Sequence, residues 1–438
     1  DRIGGRAARD GRSREVKILF LEASSGQVVG GSLTGMLELI GGLDRTRYMP
    51  VVVLYEEKPV TRQLRAQGIP VRIFSKRRLP KEHTLQESGG YQHVKGYPGV
   101  TPLLRRARAT LTFVFETLPA ALRLASVFRQ EAPDIVHVCN GFRGNLDAIV
   151  AARLCGIPCV VHCKGFDKHS YIERLVAPGV AAAVCMTVAI EDHCRAQRIR
   201  APEYRVIYDG LDLARFRPTR DRDDVREDLG IPRDAPVVGV VGNIQEWKGQ
   251  HVLLEAMVEV VGAYPQAVAL VVGGAHRSGR AYADSLRRFV AERGLGRNVV
   301  FTGARQDVPD IMNAMDVIVH SSVRGEPFGR VIIEGMSVGR PVVATRAGGV
   351  PEFVHDGVDG LLVQPGDPAE LARVLIGLLR DGELRRRLSH GAEQAVRNFS
   401  LEHHVEQMTR LYDHIAATRG HGQAPVTTAA RRTLEERS

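Results

Sequence analysis

Two consecutive α/β domains, each a parallel sheet wound with helices on both faces, are the fold this sequence predicts, and three observations predict it. The chain has 438 residues, more than one ordinary domain of roughly 150 residues needs. Short apolar runs of strand length alternate with longer segments of helical spacing along most of it, the signature of βαβ units and of sheets buried on both faces. A charged, proline-bearing stretch near residues 215 to 235 divides that alternation into two sets. Hydrophobic residues at 44% and charged residues at 25% exclude collagen-like, mucin-like and wholly disordered chains.

The first set opens with a strand at 16–21, a glycine-rich turn at 26–35 and a helix from Ser32 to about Gly42. Further strands are expected at 48–54, 71–74, 135–138, 159–162 and 182–187. The second set is shorter and Val-rich, with strands expected at 237–241, 267–272, 299–302, 317–320 and 341–345. The domains are accordingly read as 16–215 and 236–395, joined by a linker at 216–235. Residues 396–417 read as a C-terminal helix that crosses back to the first domain, and residues 1–15 and 418–438 read as unstructured tails.

Residues 75–117 break the alternation. Lys76, Arg77, Arg78, Lys81, Lys95, Arg105, Arg106 and Arg108 are interleaved with Tyr91, Tyr97, Phe113 and Phe115, and from 103 to 128 apolar residues recur at helical spacing. Residues 1 to 130 hold 22 Lys/Arg against 11 Asp/Glu, so the net charge of +10 belongs to this end. An amphipathic helix packed on its domain is one reading, and docking on an anionic membrane surface is the other. Nucleic acid is set aside because no binding motif accompanies the charge. No unbroken apolar run approaches the roughly 18 residues of a membrane span, and the start lacks the apolar region of a secretory signal. The six cysteines fall between 139 and 194 without paired CxxC spacing, so buried thiols in a reducing cytoplasm are expected rather than a zinc site.

Open parallel sheets bind ligands beyond the carboxyl ends of their strands. Neither first turn has G-x-G-x-x-G spacing: Gly26, Gly30 and Gly31 are wrongly placed, as are Gly239 and Gly242, which argues against a nicotinamide dehydrogenase. The most informative stretch is 317–352. There Glu326 and Glu334 stand eight apart across a Pro-Phe-Gly turn, and a helix opens near Gly329 or Arg330. Free N–H groups at such a start suit a diphosphate. Glu334, one turn inside, suits a ribose diol, and Glu326 on the loop suits the hydroxyls of a second sugar. Two carboxylates at this spacing are by themselves ordinary surface charges; the glycines and the later Gly348-Gly349-Val350-Pro351-Glu352 change that weighting.

This segment resembles the Glu-x7-Glu donor-binding signature of the family 4 retaining glycosyltransferases, which have the two-domain GT-B fold. Residues 237–249, 270–275, 299–316 and 360–367 resemble further family segments in order, and 206–218 resembles the interdomain segment with Asp209 in place of the usual Asn. The likeness covers about 16–415 and is weakest over 75–117. It implies two Rossmann-like domains facing across a cleft, the first binding the acceptor and the second the nucleotide sugar. Carried over, Lys248 neutralises the donor diphosphate, Glu326 holds the transferred sugar and Glu334 the ribose. Backbone N–H groups around Phe328, Gly329, Arg330 and Val331 cradle the phosphates, with Gly242, Asn243, Gly273 and Arg305 lining the donor site. Gly30 and Gly31 give close approach to phosphate or acceptor, and His162 lies near the reacting centre. Asn243 departs from the family, which carries an Arg there as a second cation; Arg277, Arg305, Arg324 and Arg330 are candidate substitutes, Arg330 the favoured one.

The implied activity is metal-independent hexosyl transfer from a nucleoside-diphosphate sugar to a lipid-linked or saccharide acceptor, with retention and with no cofactor. No Asp-x-Asp motif stands at the donor segment to hold a metal. A cytoplasmic location, with peripheral attachment to the inner face of the plasma membrane and a role in cell-surface polysaccharide or glycolipid synthesis, follows from the class. An inactive GT-B protein acting as a membrane scaffold is the alternative.

Overall fold

The computed structural model describes residues 15–24, 31–76, 100–275 and 279–420. Gly30, Arg277 and the basic cluster Arg77, Arg78, Lys81 and Lys95 lie outside the described residues. The chain forms two compact units. One holds the chain up to Val184 with Cys194–Arg205 and everything from Met408 on; the other holds Cys185–His193 and Val206–Gln407.

The first unit is built on a seven-stranded sheet of order β3-β2-β1-β4-β5-β6-β7, with β1 Val16–Glu22, β2 Tyr48–Leu54, β3 Val71–Ile73, β4 Ile135–Val138, β5 Cys159–Cys163, β6 Ala182–Cys185 and β7 Tyr204–Val206. β1 pairs in parallel with β2 on one side and β4 on the other. Its residues Ile18, Leu19, Phe20 and Leu21 have no exposed surface, as expected where helices cover both faces.

The basic insertion ends in one long helical stretch: Val100–Thr112, a π-helical turn at Phe113–Thr117, then Leu118–Glu131. Ala120, Ala121, Leu124, Ala125 and Phe128 on its inner side are buried, whereas Leu111, Phe115 and Leu122 are exposed. Among the described residues, Leu104–Glu131 is the one helix long and apolar enough, by length and composition alone, to cross a membrane. That apolar content is spread along a helix with one face in the core, so the count of unbroken apolar runs did not register it. The end of the chain completes this unit: Tyr412 is fully buried, its hydroxyl lies 2.5 Å from His137 Nδ1, and the Tyr48 hydroxyl donates to Asp413 at 2.8 Å.

The second unit carries six strands in the order β10-β9-β8-β11-β12-β13: β8 Val237–Val241, β9 Val268–Val272, β10 Val299–Gly303, β11 Val317–His320, β12 Val342–Thr345 and β13 Leu361–Val363. All its pairings are parallel. β8 lies between β9 and β11, so the winding direction reverses there and opens a crevice at the carboxyl ends of β8 and β11.

Residues 216–235, expected as a linker, fold into the second unit. The helix Arg222–Asp228 docks through Arg226, only 2% exposed, which donates to the Ala314, Arg233 and Ala235 carbonyls and to Asp316. The charged composition marked this stretch as a linker, but its charges are answered by carboxylate and carbonyl partners instead.

Candidate active site

Topology explains how residues far apart in sequence meet. The loop after β8 carries Lys248 and the loop after β11 carries Glu326, and these strands are parallel neighbours at the point where the winding reverses. Lys248 Nζ accordingly sits 3.0 and 2.8 Å from the two Glu326 carboxylate oxygens. The Trp247 ring, 4.1 Å from the same ammonium, supports it from beside the loop through cation–π attraction. Gly249 makes the approach feasible. Its φ is +69°, and a Cβ there would stand 1.9 Å from the Ser321 carbonyl oxygen, so any other residue would push the lysine loop off the end of β11.

Glu326 is 6% exposed. Besides Lys248 it accepts from Ser322 Oγ at 2.8 Å and lies 3.2 Å from His320 Nε2. Thr345 Oγ1, 3.3 Å from His320 Nδ1, can donate to that nitrogen and leave the Nε2 proton for the carboxylate. Burial works to raise the Glu326 carboxyl, but the His320 hydrogen bond and the Lys248 charge outweigh it and bring it down to about 2. The site therefore holds a fixed carboxylate with several donors, one of them a lysine that is partly solvent-exposed and able to turn to an incoming anion.

The turn between Glu326 and the next helix is anchored by aromatic packing. Phe328 is 1% exposed and lies 4.9 Å from Phe353, 6.0 Å from Phe399 and 6.1 Å from Tyr208, centroid to centroid. Thr187 Oγ1 donates to the Pro327 carbonyl at 3.0 Å, and the Gly349 amide donates to the Glu326 carbonyl at 2.9 Å. Glu352, closing the motif, accepts from the Val188 and Ala189 amides at 2.7 Å each and from the Tyr208 hydroxyl at 3.2 Å. Phe328 thus contributes its backbone to the site while its ring belongs to the core. The helix Arg330–Ser337 begins at Gly329 in a left-handed conformation, and its first-turn N–H groups point back toward the loop that carries Glu326.

Glu334 lies one turn inside that helix, and Arg330 Nε donates to it at 3.0 Å. Two expected donor-binding side chains are therefore bonded to each other, and Arg330 faces a carboxylate. Asn243 is exposed after β8, its carbonyl accepting from Gln250 Nε2 at 3.1 Å. Gly273 packs against the same loop: a Cβ on it would lie 1.9 Å from the Gly242 carbonyl oxygen. Arg305 forks onto Asp307 at 2.9 and 2.7 Å, and Arg324 is exposed.

The remaining expected residues fall in the first unit. His162 is 2% exposed on β5, its ring 5.5 Å from that of His137, which is an interior position. Gly31 is exposed at the start of the helix Gly31–Gly42. This unit has its own cavity of about 400 Å³, lined among others by Tyr55, Lys76, Glu116, Asn140, Arg143 and Asp167, beyond the carboxyl ends of β2, β4 and β5. Buried Asp147 orients two of these groups, accepting from the Tyr55 hydroxyl at 2.8 Å and lying 3.1 Å from Lys76 Nζ. Glu22 accepts from the Asn140 amide at 3.1 Å. Sequence reasoning singled out neither this cavity nor His320, Ser322 and Thr345. All three belong to the motif segment 317–352, and the strand-end position of His320 was the available signal.

Two family models match: "Glycosyl transferase 4-like domain" over residues 30–210 and "Glycosyl transferases group 1" over residues 221–395. The D-inositol 3-phosphate glycosyltransferase of Thermomonospora curvata is 36% identical over 81% of this chain and 88% of its own length. The chain belongs to the group 1, family 4 glycosyltransferases. A Nocardioides relative of the same name is 30% identical over 81% of this chain and 83% of its own. With the Corynebacterium urealyticum relative, 37% identical, the chain matches about half of that protein's length. Among solved structures, Anabaena HepE in complex with UDP is 26% identical with a TM-score of 0.74, over 91% of this chain and all of that one. This group 1 glycosyltransferase chain is thus similar across both its units to GT-B proteins, one of them also crystallised with UDP-glucose.

Proposed function

We propose that the chain transfers a hexosyl unit from a nucleoside-diphosphate sugar to an acceptor hydroxyl, with retention at the anomeric carbon. The observation that carries this reading is the Lys248–Glu326–His320 group at the switch point of the second sheet, followed directly by the start of the helix Arg330–Ser337. A diphosphate at that helix start would meet first-turn N–H groups and the positive end of the helix dipole. Lys248 would turn from Glu326 to the diphosphate and stabilise the negative charge that develops on it as the leaving group departs. Glu326 keeps Ser322 and His320 when Lys248 moves, so its carboxylate stays in place to accept from sugar hydroxyls. Glu334 would receive the ribose diol.

In this reaction the bond from the anomeric carbon to the diphosphate oxygen breaks and a bond from that carbon to the acceptor oxygen forms. The acceptor's proton passes to a donor phosphate oxygen. Lys248 and the helix start supply the positive charge, so the proposal includes no metal. The HepE complexes with UDP and UDP-glucose make UDP-sugars the first donors to assay. The relatives' name makes D-inositol 3-phosphate a first acceptor, and the first unit's polar cavity is the proposed place for it. A lipid-linked saccharide is the second, because the exposed Leu111, Phe115 and Leu122 share a helical stretch with Arg105, Arg106 and Arg108, a combination suited to peripheral attachment at an anionic membrane face. The test is incubation of purified protein with UDP-glucose and each acceptor, with and without EDTA, and assignment of the product anomer by NMR. A product of inverted configuration, or activity abolished by EDTA and restored by a divalent ion, refutes the proposed chemistry.

A further inference from the structure

At the opposite edge of the second sheet, where its strands begin, a second cavity of about 390 Å³ is lined among others by Arg222, Arg226, Arg233, Arg385 and Asp316. The position is set by topology. Asp316 immediately precedes β11, Pro236 immediately precedes β8, and Arg340 stands two residues before β12, three strands that are neighbours in the sheet. One wall is therefore the strand-start side of the sheet at Pro236 and Asp316, remote along each strand from the carboxyl-end crevice that holds Lys248 and Glu326, and the helix Arg222–Asp228 forms another.

Four arginines line the cavity against three aspartates, and the exposed Arg233 also reaches Glu227 at 3.5 Å. Asp316 takes Arg222 at 2.8 Å on one oxygen and Arg226 at 3.0 Å on the other, and its second oxygen also accepts from the Val237 amide at 2.8 Å, so both its oxygens are engaged. Arg385 donates to the Leu378 and Leu379 carbonyls at the end of the helix Pro368–Arg380. Arg222 Nε and Arg340 Nε are buried and have no hydrogen-bond partner among the described residues. Burial and the nearby Arg222 and Arg226 charges bring the Arg340 guanidinium down to about 10, the direction expected where like charges crowd without enough counter-charge. Asp223 and Asp234 also line the cavity and offset part of the charge. A core serving stability alone would not be expected to keep buried guanidinium N–H groups unanswered.

We propose that this cavity is an anion site for a phosphate-bearing small molecule, gripped by the guanidinium groups of Arg222 and Arg233. Guanidinium forks match phosphate oxygens in pairs, and the cavity falls in the size range of small-molecule sites, which leaves room for an organic group on the phosphate. The site is independent of the donor reading and stands if that reading fails.

The experiment is a calorimetric and thermal-shift titration of the full chain with inorganic phosphate and with glucose 6-phosphate, at ionic strength matched by sodium chloride. Wild type is compared with Arg222→Gln, Arg233→Gln and Lys248→Ala. Saturable binding weakened tenfold or more by Arg222→Gln and by Arg233→Gln, and retained in Lys248→Ala, is the expected result. Arg233 is largely exposed, so its substitution leaves the packing intact should Arg222→Gln fail to fold. Tighter binding of glucose 6-phosphate than of inorganic phosphate would assign the extra volume to an organic group; equal binding would assign the site to the bare ion. Binding lost in Lys248→Ala but kept in both arginine variants would place the anion at the donor site and overturn the proposal. So would a response no greater than that to chloride.

Discussion

Replacing Glu326 with glutamine should make the second unit less stable in a strongly pH-dependent way. The wild-type carboxyl is held at about 2 against an ordinary value of 4.5. At about 1.4 kcal/mol per pKa unit, the difference contributes about 3 kcal/mol near neutral pH. A depressed carboxyl gives stability that is complete above the unfolded value of 4.5 and is lost as pH falls toward 2, so about 2 kcal/mol of it should be gone by pH 3. Glu326→Gln cannot lose what it no longer has, and subtracting its stability from that of wild type cancels the other carboxylates. The sequence has a single tryptophan, Trp247, adjacent to Lys248, so urea unfolding followed by its fluorescence reports on this unit. The gap between wild type and variant should narrow by about 2 kcal/mol from pH 7 to pH 3. A gap that stays constant over that range would show that Glu326 is not held as a buried, donor-rich carboxylate.

Lys248→Ala should reduce kcat/KM by about 100- to 1000-fold, the usual cost of losing one charge-stabilising donor, while the Trp247-reported unfolding midpoint changes modestly; losses matched in size between activity and folding would make Lys248 structural. Gly249→Ala forces a Cβ against the Ser321 carbonyl at a positive φ and should cost about 1–3 kcal/mol, read in the same urea experiment; a neutral outcome would mean the lysine loop is free to shift. Tyr412→Phe removes the buried hydrogen bond to His137 and should lower the stability of the first unit by about 1–3 kcal/mol, seen by calorimetry and without change in UDP binding.

Much of the architecture was legible because parallel strands buried on both faces leave unbroken Val-rich runs. β2, β4, β8 and β11 match their expected bounds residue for residue. The short edge strands β7 and β13 were missed, whereas β3, equally short and also at an edge, was expected at 71–74 because it follows the strand and helix before it in regular alternation. The stretch 216–235 was misread because sequence gives charge but not pairing: Arg226 looks solvated until Asp316 and three carbonyls are seen around it. At the site, the glycines and the Glu326/Glu334 spacing were visible. That Lys248 would bond Glu326 was not, because their contact depends on β8 and β11 being neighbours. The same limit hid the arginine cavity, whose members lie up to 163 positions apart between Arg222 and Arg385 and converge only at the strand ends.

The proposed transfer depends on the second unit binding a nucleoside-diphosphate sugar between Lys248, Glu326 and Glu334. Thermal unfolding of wild type and Glu334→Ala across a UDP concentration series tests it most directly, since a ligand that binds the folded state raises its melting temperature by mass action. Wild type should show a saturable rise that is lost or weakened at least tenfold in the variant. An identical rise in both proteins, or no rise in a folded wild type with UDP, GDP, ADP or dTDP, would contradict it.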